Sequence, residues 1–166
     1  MSMLMKFIFL VIPEKLLSHL FGLWAQIEWP APIQLFINTT FANMYKINLS
    51  EAIKPIDEFE SLSAFFIRHL KPEARPIGEG VVHPCDAYLS VSAKISSDTL
   101  IQNKKINYYI NDFLRLNEDD NFISGHQLTY YLSPQDYHRV HVPMDSELVS
   151  IKHLSLIHIS EPTRPY

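Results

Sequence analysis

Leu89-Ser90-Val91-Ser92-Ala93-Lys94-Ile95 is the stretch that decides the fold, because its apolar and polar residues alternate strictly. The side chains of a β-strand point to opposite faces in turn, so this period of two predicts a strand with one buried face. Residues 127–132 alternate in the same way and predict a second strand. Residues 148–151 predict a third strand, and residues 108–116 are predicted to form a short helix.

The residues that precede this strand follow a helical period instead. Apolar side chains at intervals of three and four predict one helix over residues 13–27 and another over residues 33–45. Pro30 and Pro32 are predicted to end the first of them, and a third, short helix is predicted within residues 59–70. Helices followed by strands predict an α+β fold, with N-terminal amphipathic helices and then a mostly antiparallel, β-rich domain.

The two N-terminal helices allow two interpretations. They are either core helices of an ordinary domain or a membrane-surface anchor whose apolar faces lie among lipid headgroups. Their polar faces are not strongly basic, so anionic lipid would attract them only weakly. The apolar run at residues 7–12 is too short to span a bilayer, which takes about 20 apolar residues.

Composition narrows the classes of function. The 166-residue chain is long enough for one ordinary core, and its net charge is -4. We therefore expect no nucleic-acid partner, because proteins that bind nucleic acids usually carry a basic field. A single cysteine excludes an internal disulfide framework.

Three side chains stand out as candidates for catalysis: Asp86, His138 and His141. A carboxylate can orient a histidine, and the histidine can then deprotonate a hydroxyl group. Spacing alone also allows a structural interpretation, in which the aspartate lies in a turn and the histidines are packed. On a regular strand the two histidines would face opposite sides, so they could share one site only if a turn or bulge intervened.

A metal-dependent hydrolase is a weaker alternative. The chain contains possible metal ligands but neither HExxH, CxxC nor another strong ligand spacing, so we predict no metal site. The possible ligands are His83, Cys85, Asp86, His138 and His141.

Two longer segments carry a family resemblance. His83-Pro84-Cys85-Asp86-Ala87-Tyr88-Leu89-Ser90 and Tyr131-Leu132-Ser133-Pro134-Gln135-Asp136-Tyr137-His138-Arg139-Val140-His141-Val142-Pro143 resemble paired motifs of phosphatidylserine decarboxylases. Phe65-Phe66-Ile67-Arg68-His69-Leu70-Lys71-Pro72 resembles a third motif of that family. The resemblance extends from about Ile12 to His153.

The resemblance implies a self-processing lyase that converts phosphatidylserine to phosphatidylethanolamine and carbon dioxide. A serine in a Gly-Ser dipeptide becomes a pyruvoyl cofactor on a small C-terminal subunit. The pyruvoyl group then forms a Schiff base with the lipid amine and acts as an electron sink. The resemblance also implies a peripheral protein on the cytoplasmic face of the bacterial cell membrane, and we add a homodimer as an expectation.

The resemblance also assigns roles to the candidate residues. Asp86 and His141 match the residues that act in self-cleavage, and His138 matches a histidine associated with substrate handling and decarboxylation. This chain departs from the family at Ala87 and Lys105, where glycine is usual. More importantly, none of its four glycines precedes a serine. We therefore predict that the pyruvoyl group cannot form in this chain and that the chain alone is inactive. The alternative is a catalytically silent membrane-binding domain.

These observations predict three divisions of the chain. Residues 1–58 are a membrane-associating helical segment, and residues 59–153 are a partial decarboxylase catalytic domain. Residues 154–166 are expected to be an artefactual tail, because Leu154-Ser155-Leu156-Ile157-His158-Ile159-Ser160-Glu161-Pro162-Thr163-Arg164 matches a sequencing adapter translated in frame. We therefore expect a truncated parent protein, with the small C-terminal subunit missing.

Overall fold

A computed structural model of the chain describes residues 14–95, 99–101, 107–114, 122 and 124–151. The predicted apolar run at residues 7–12 and the predicted tail from Leu154 lie outside these residues. The chain divides into two compact units. The first contains the residues up to Val82 together with Pro134–Val140, and the second contains His83–Ser133 and the residues from His141 onward.

Among the described residues, the first unit contains three α-helices: α1 at Glu14–Ala25, α2 at Ala31–Tyr45 and α3 at Leu62–Phe66. Short 3-10 helices lie at Leu49–Glu51, Ile56–Glu58 and Pro72–Ala74. The prediction that Pro32 ends a helix is wrong, because Pro32 lies in the first turn of α2. The backbone N–H groups of a first turn have no partner within the helix, so a proline costs nothing there.

The predicted third helix is real but shorter than its apolar pattern. The Ser61 hydroxyl accepts a hydrogen bond from the Ala64 backbone N–H at 3.1 Å and caps the start of α3. The helix ends at Phe66, and Leu70 instead forms an antiparallel bridge with Ala52. The apolar spacing therefore overestimated the length of the helix, because Leu70 belongs to this bridge and not to α3.

The core of the first unit lies between α2 and α3. Phe65 is fully buried, and its ring packs edge to face against Phe59 with the centroids 5.3 Å apart. Ala42, Ile47 and Leu62 complete the buried cluster. An edge-to-face aromatic pair stabilises the fold by more than the burial of its apolar surface alone.

Helix α2 buries polar side chains as well as apolar ones. Its buried residues are Gln34, Asn38 and Ala42. The Gln34 side-chain amide donates to the Asn38 Oδ1 at 2.8 Å, and the Asn38 Nδ2 donates to the carbonyls of Ile56 and Phe59 at 3.4 and 3.3 Å. Buried polar groups must be hydrogen-bonded, so this ladder ties α2 to the chain around its second 3-10 helix.

In the part of the second unit that the structure describes, there are four strands and one short helix. Strand β1 at Tyr88–Lys94 pairs antiparallel with β4 at His126–Tyr131, and the register shifts between Leu89 and Val91. Strand β2 at Thr99–Ile101 pairs antiparallel with β3 at Asn107–Tyr109. Helix α4 follows at Ile110–Leu114. The α+β prediction and the two alternating strands are therefore confirmed.

One predicted element of this unit is confirmed and another is wrong. Residues 108–116 were predicted to form a short helix, and the α-helix found there is Ile110–Leu114, which follows directly on β3. Residues 148–151 form no strand. Leu148, Val149 and Ile151 are all exposed, so this segment has no buried face of the kind that its pattern predicted.

We predict that Asn38→Ala lowers the free energy of unfolding by about 2 kcal/mol, because it leaves buried polar groups without partners. The matched control is Asn43→Ala on the same helix, where the side chain is exposed. Both substitutions change helix propensity equally, so the control isolates the buried network. Urea unfolding measures both, and equal effects of the two variants would contradict the structural role of the ladder.

Candidate functional site

The segment Pro134–Val140 is held by residues 65–68 of its own unit. The Arg68 side chain is buried, with 4% of its surface exposed. Its Nη2 donates to the carbonyl oxygens of Gln135 and Asp136 at 3.2 and 3.3 Å. The guanidinium carbon lies 5.6 Å from the centre of the Phe65 ring, within cation–π range. Because a buried charge is costly unless it is hydrogen-bonded, these carbonyls stabilise Arg68 while Arg68 fixes the segment.

His138 lies in the same anchored segment. Its imidazole stacks on the Phe66 ring, with the ring centres 3.9 Å apart and the planes inclined by 29°. The adjacent Arg139 donates from its Nε to the Ile67 carbonyl at 2.7 Å. The His138 ring is therefore supported on one face, and it is flanked by the held carbonyls of Gln135 and Asp136 and by the anchored side chain of Arg139.

Asp86 and His141 belong to the second unit. Asp86 lies in a bend just before β1 and is half-buried, whereas His141 is exposed. The His141 backbone N–H donates to the Pro84 carbonyl at 2.7 Å. This bond holds His141 beside the short bend that contains Asp86, so one carboxylate and one imidazole are carried by adjoining backbone.

His83 lies near the same bend in sequence and contacts β4. Its Nδ1 is 2.8 Å from the Tyr130 hydroxyl, and the two rings meet edge to face. The contact ties the residues before Asp86 to the strand that pairs with β1. Among the described residues, no three His, Cys, Asp or Glu side chains form a group that could hold a metal ion. The hydrolase alternative therefore gains no ligand cluster from this part of the chain.

The strand geometry assumed for the two histidines is wrong. Residues 132–151 contain neither a helix nor a strand, so His138 and His141 do not alternate across a sheet. They belong instead to different compact units. One is held by Phe66 and the other through the Pro84 carbonyl.

The chain is similar in sequence to known proteins of one family. The family model described as phosphatidylserine decarboxylase matches residues 62–156, which include Asp86, His138 and His141. A phosphatidylserine decarboxylase proenzyme of Legionella pneumophila strain Corby is 36% identical over 148 residues, covering 87% of this chain and 52% of the relative. The proenzyme of Actinobacillus pleuropneumoniae serotype 3 is 40% identical over 144 residues, covering 83% and 48% respectively. That of Idiomarina loihiensis is 39% identical over 144 residues, covering 83% and 49%.

The chain belongs to the phosphatidylserine decarboxylase family. It spans about half the length of the curated relatives that it matches. The family resemblance inferred from the motifs is thereby confirmed. The individual roles of Asp86, His138 and His141 remain predictions for this decarboxylase family member.

Sequence reasoning missed the residues that support the candidate site. Phe66 and Arg68 were recognised only as parts of a motif, and Tyr130 only as a strand residue. The available signal was the position of Arg68, directly after three apolar residues, Phe65 to Ile67. A cation in such surroundings predicts a buried guanidinium with specific partners.

We predict that truncating exposed His141 and truncating buried Tyr137 have different effects on the free energy of unfolding. His141→Ala should change the free energy of unfolding by no more than about 0.5 kcal/mol, because its side chain is exposed. Tyr137→Ala should lower it by about 3 kcal/mol, because the Tyr137 ring is buried. Urea unfolding of the 166-residue chain provides the measurement. A large loss of stability in His141→Ala would show that this histidine is a packing residue.

Proposed function

We propose that this chain supplies the part of a phosphatidylserine decarboxylase that carries its proton-transfer residues. The reaction would convert phosphatidylserine to phosphatidylethanolamine and carbon dioxide in phospholipid biosynthesis. The observation that carries this proposal is the family match over residues 62–156, which contain all three candidate side chains. The separate anchoring of His138 and His141 supports two distinct chemical duties.

The pyruvoyl group of the family does not fit this chain. Gly22, Gly78, Gly80 and Gly125 are each followed by a residue other than serine. The chain therefore contains no Gly-Ser serine from which the group could form, and we expect the chain alone to be inactive. What its own residues would contribute is proton transfer to and from groups that a small C-terminal subunit and the substrate provide.

Asp86 and His141 are proposed to act together on a serine hydroxyl during self-cleavage. His141 would take the hydroxyl proton at a ring nitrogen, and Asp86 would orient the imidazole and stabilise its charged form. The exposure of the His141 ring supports this role, because an incoming hydroxyl can reach it. His138 is proposed to hold or move a proton during decarboxylation instead.

A docking surface for the small C-terminal subunit is proposed in the second unit. Exposed apolar side chains follow one another there from Val142 to Ile151. Such residues are costly to leave in water, and burying them against another chain is favourable. Homodimer formation stays a prediction.

Membrane binding is proposed for the first two helices. Helix α1 exposes its large apolar side chains, including Phe21 and Trp24. On α2, Phe36 is 72% exposed and Met44 67%, while the buried residues are polar or small. Exposed aromatic rings of this kind are suited to the headgroup layer, and they support the anchor interpretation. Another part of α2 serves the core, because Ile37, Phe41 and Tyr45 pack against the buried cluster.

No helix among the described residues has both the length and the hydropathy needed to cross a bilayer. We propose a peripheral association at the cytoplasmic face of the bacterial membrane, as the family resemblance implies. The same helices would serve a catalytically silent membrane-binding domain, so membrane binding alone does not select between the two functions. Self-cleavage and decarboxylation by a hybrid proenzyme do select between them.

We predict separable defects in a hybrid proenzyme that joins residues 1–151 of this chain to the C-terminal half of the Legionella relative. Asp86→Ala and His141→Ala should accumulate uncut proenzyme, because both act on the hydroxyl. His138→Ala should be cut nearly normally but should release carbon dioxide roughly a hundredfold more slowly, the usual range for a lost acid or base. Mass spectrometry measures the cut, and release of labelled carbon dioxide measures turnover.

The 166-residue chain alone serves as the blank and should show neither activity. Uncut His138→Ala beside normally cut His141→Ala would reverse the two roles. A wild-type hybrid that is neither cut nor releases carbon dioxide would favour the silent membrane-binding domain.

We predict that the chain binds liposomes of phosphatidylserine and phosphatidylcholine and that the binding resists a rise from low to physiological salt. Apolar burial is little screened by ions, whereas charge attraction is screened strongly. Phe36→Ser should weaken binding roughly tenfold or more, the value of one buried aromatic side chain. Ile77→Ser is the control, because Ile77 is 85% exposed but lies in a loop outside α1 and α2. Equal losses in the two variants, or binding that collapses with salt, would contradict the anchor.

A further inference from the structure

Three consecutive residues hold the short segment on which His138 lies. Phe66 stacks on the His138 ring, the Ile67 carbonyl accepts from Arg139, and Arg68 donates to the carbonyls of Gln135 and Asp136. The segment has no helix or strand of its own to fix it. The position of His138 therefore depends on contacts from residues 66–68.

The contact with Phe66 controls the direction in which the imidazole can act. Both nitrogens of a histidine lie in the plane of its ring, and a proton is transferred along that plane. At a centroid distance of 3.9 Å and an inclination of 29°, the Phe66 ring covers one face of the imidazole. A stacked partner therefore sets the plane in which the nitrogens point, and proton transfer is sensitive to that orientation.

The contact with Arg68 controls the backbone instead. One buried nitrogen holds two successive carbonyls, those of Gln135 and Asp136, and the second of them is two residues from His138. A planar, permanently charged guanidinium keeps such a fixed geometry, whereas a lysine would provide a flexible point charge. Arg68 therefore fixes the position of the backbone that carries His138, and Phe66 fixes the orientation of the imidazole ring.

We propose that Phe66 and Arg68 are positioning residues for His138, acting through its ring plane and its backbone respectively. The proposal rests on the proposed function, because it takes His138 to serve decarboxylation. His141 is held through a different bond, to the Pro84 carbonyl in the second unit. Loss of the Phe66 ring should thus impair turnover while self-cleavage, which needs Asp86 and His141, continues.

The first test uses the 166-residue chain and the ring-proton resonances of its histidines. In the wild-type chain the Phe66 ring should displace the His138 signals from their positions in free histidine. Phe66→Leu should return them toward those positions and leave the His141 signals in place, whereas Phe66→Tyr should keep them displaced. Arg68→Lys should broaden or move the His138 signals. His138 signals that do not respond to Phe66→Leu would overturn the proposal.

The second test uses the hybrid proenzyme and measures self-cleavage, kcat and KM separately. Phe66→Leu should be cut at the wild-type rate and should lower kcat by roughly ten- to a hundredfold, with KM for phosphatidylserine nearly unchanged. Phe66→Tyr should restore kcat, and Arg68→Lys should fall between them. A general loss of structure would lower cleavage and turnover together, and that result would reduce Phe66 to a packing residue.

The two tests distinguish a failure of this positioning proposal from a failure of the proposed function on which it rests. If the His138 signals respond as expected but the wild-type hybrid shows no decarboxylation, the positioning is upheld and the proposed function fails. If the hybrid is active and fully cut Phe66→Leu has the wild-type kcat, the positioning proposal fails and the proposed function stands.

Discussion

The buried guanidinium of Arg68 is the constraint on which the segment that carries His138 depends. It joins residues that are 67 and 68 positions apart in sequence by donating to the carbonyls of Gln135 and Asp136. Hydrogen bonds to a charged donor are about twice as strong as neutral ones, and removing either partner leaves the other buried and unsatisfied. The stacked His138 and the anchored Arg139 follow from this attachment, because both lie within three residues of the Asp136 carbonyl.

The same unit uses polar groups in its interior where an apolar pattern would be expected. Asn38 is fully buried and Gln34 nearly so, while Phe36 on the same helix is exposed. This arrangement gives α2 one specific partner through hydrogen bonds and leaves Phe36 available to a lipid surface, while Phe41 and Tyr45 pack against the core. Fixing the helix through polar contacts and binding membrane through apolar ones are therefore compatible functions of one element.

Sequence could predict the elements whose pattern is local and strict. The alternation of Val91, Ala93 and Ile95 identified β1, and the helical spacing identified α1 and α2. Residues 148–151 resembled a strand equally well, yet a strand also needs a partner that no local pattern reveals. The candidate side chains were recognisable from motifs, but their supports, Phe66 and Arg68, act across about 70 residues of sequence. Contacts of that kind depend on tertiary packing, and the division of the histidines between two units could not be inferred from their spacing of three.

The most direct test of the central claim is whether the Arg68 guanidinium lies on the backbone of Gln135 and Asp136 in solution. Nuclear Overhauser contacts from the Nη2 protons of Arg68 report this directly in the 166-residue chain. The account predicts contacts to the Hα protons of Gln135 and Asp136, together with slow exchange of the guanidinium protons with water. Rapid exchange and the absence of those contacts, in a chain whose Phe59 and Phe65 rings still pack together, would contradict it.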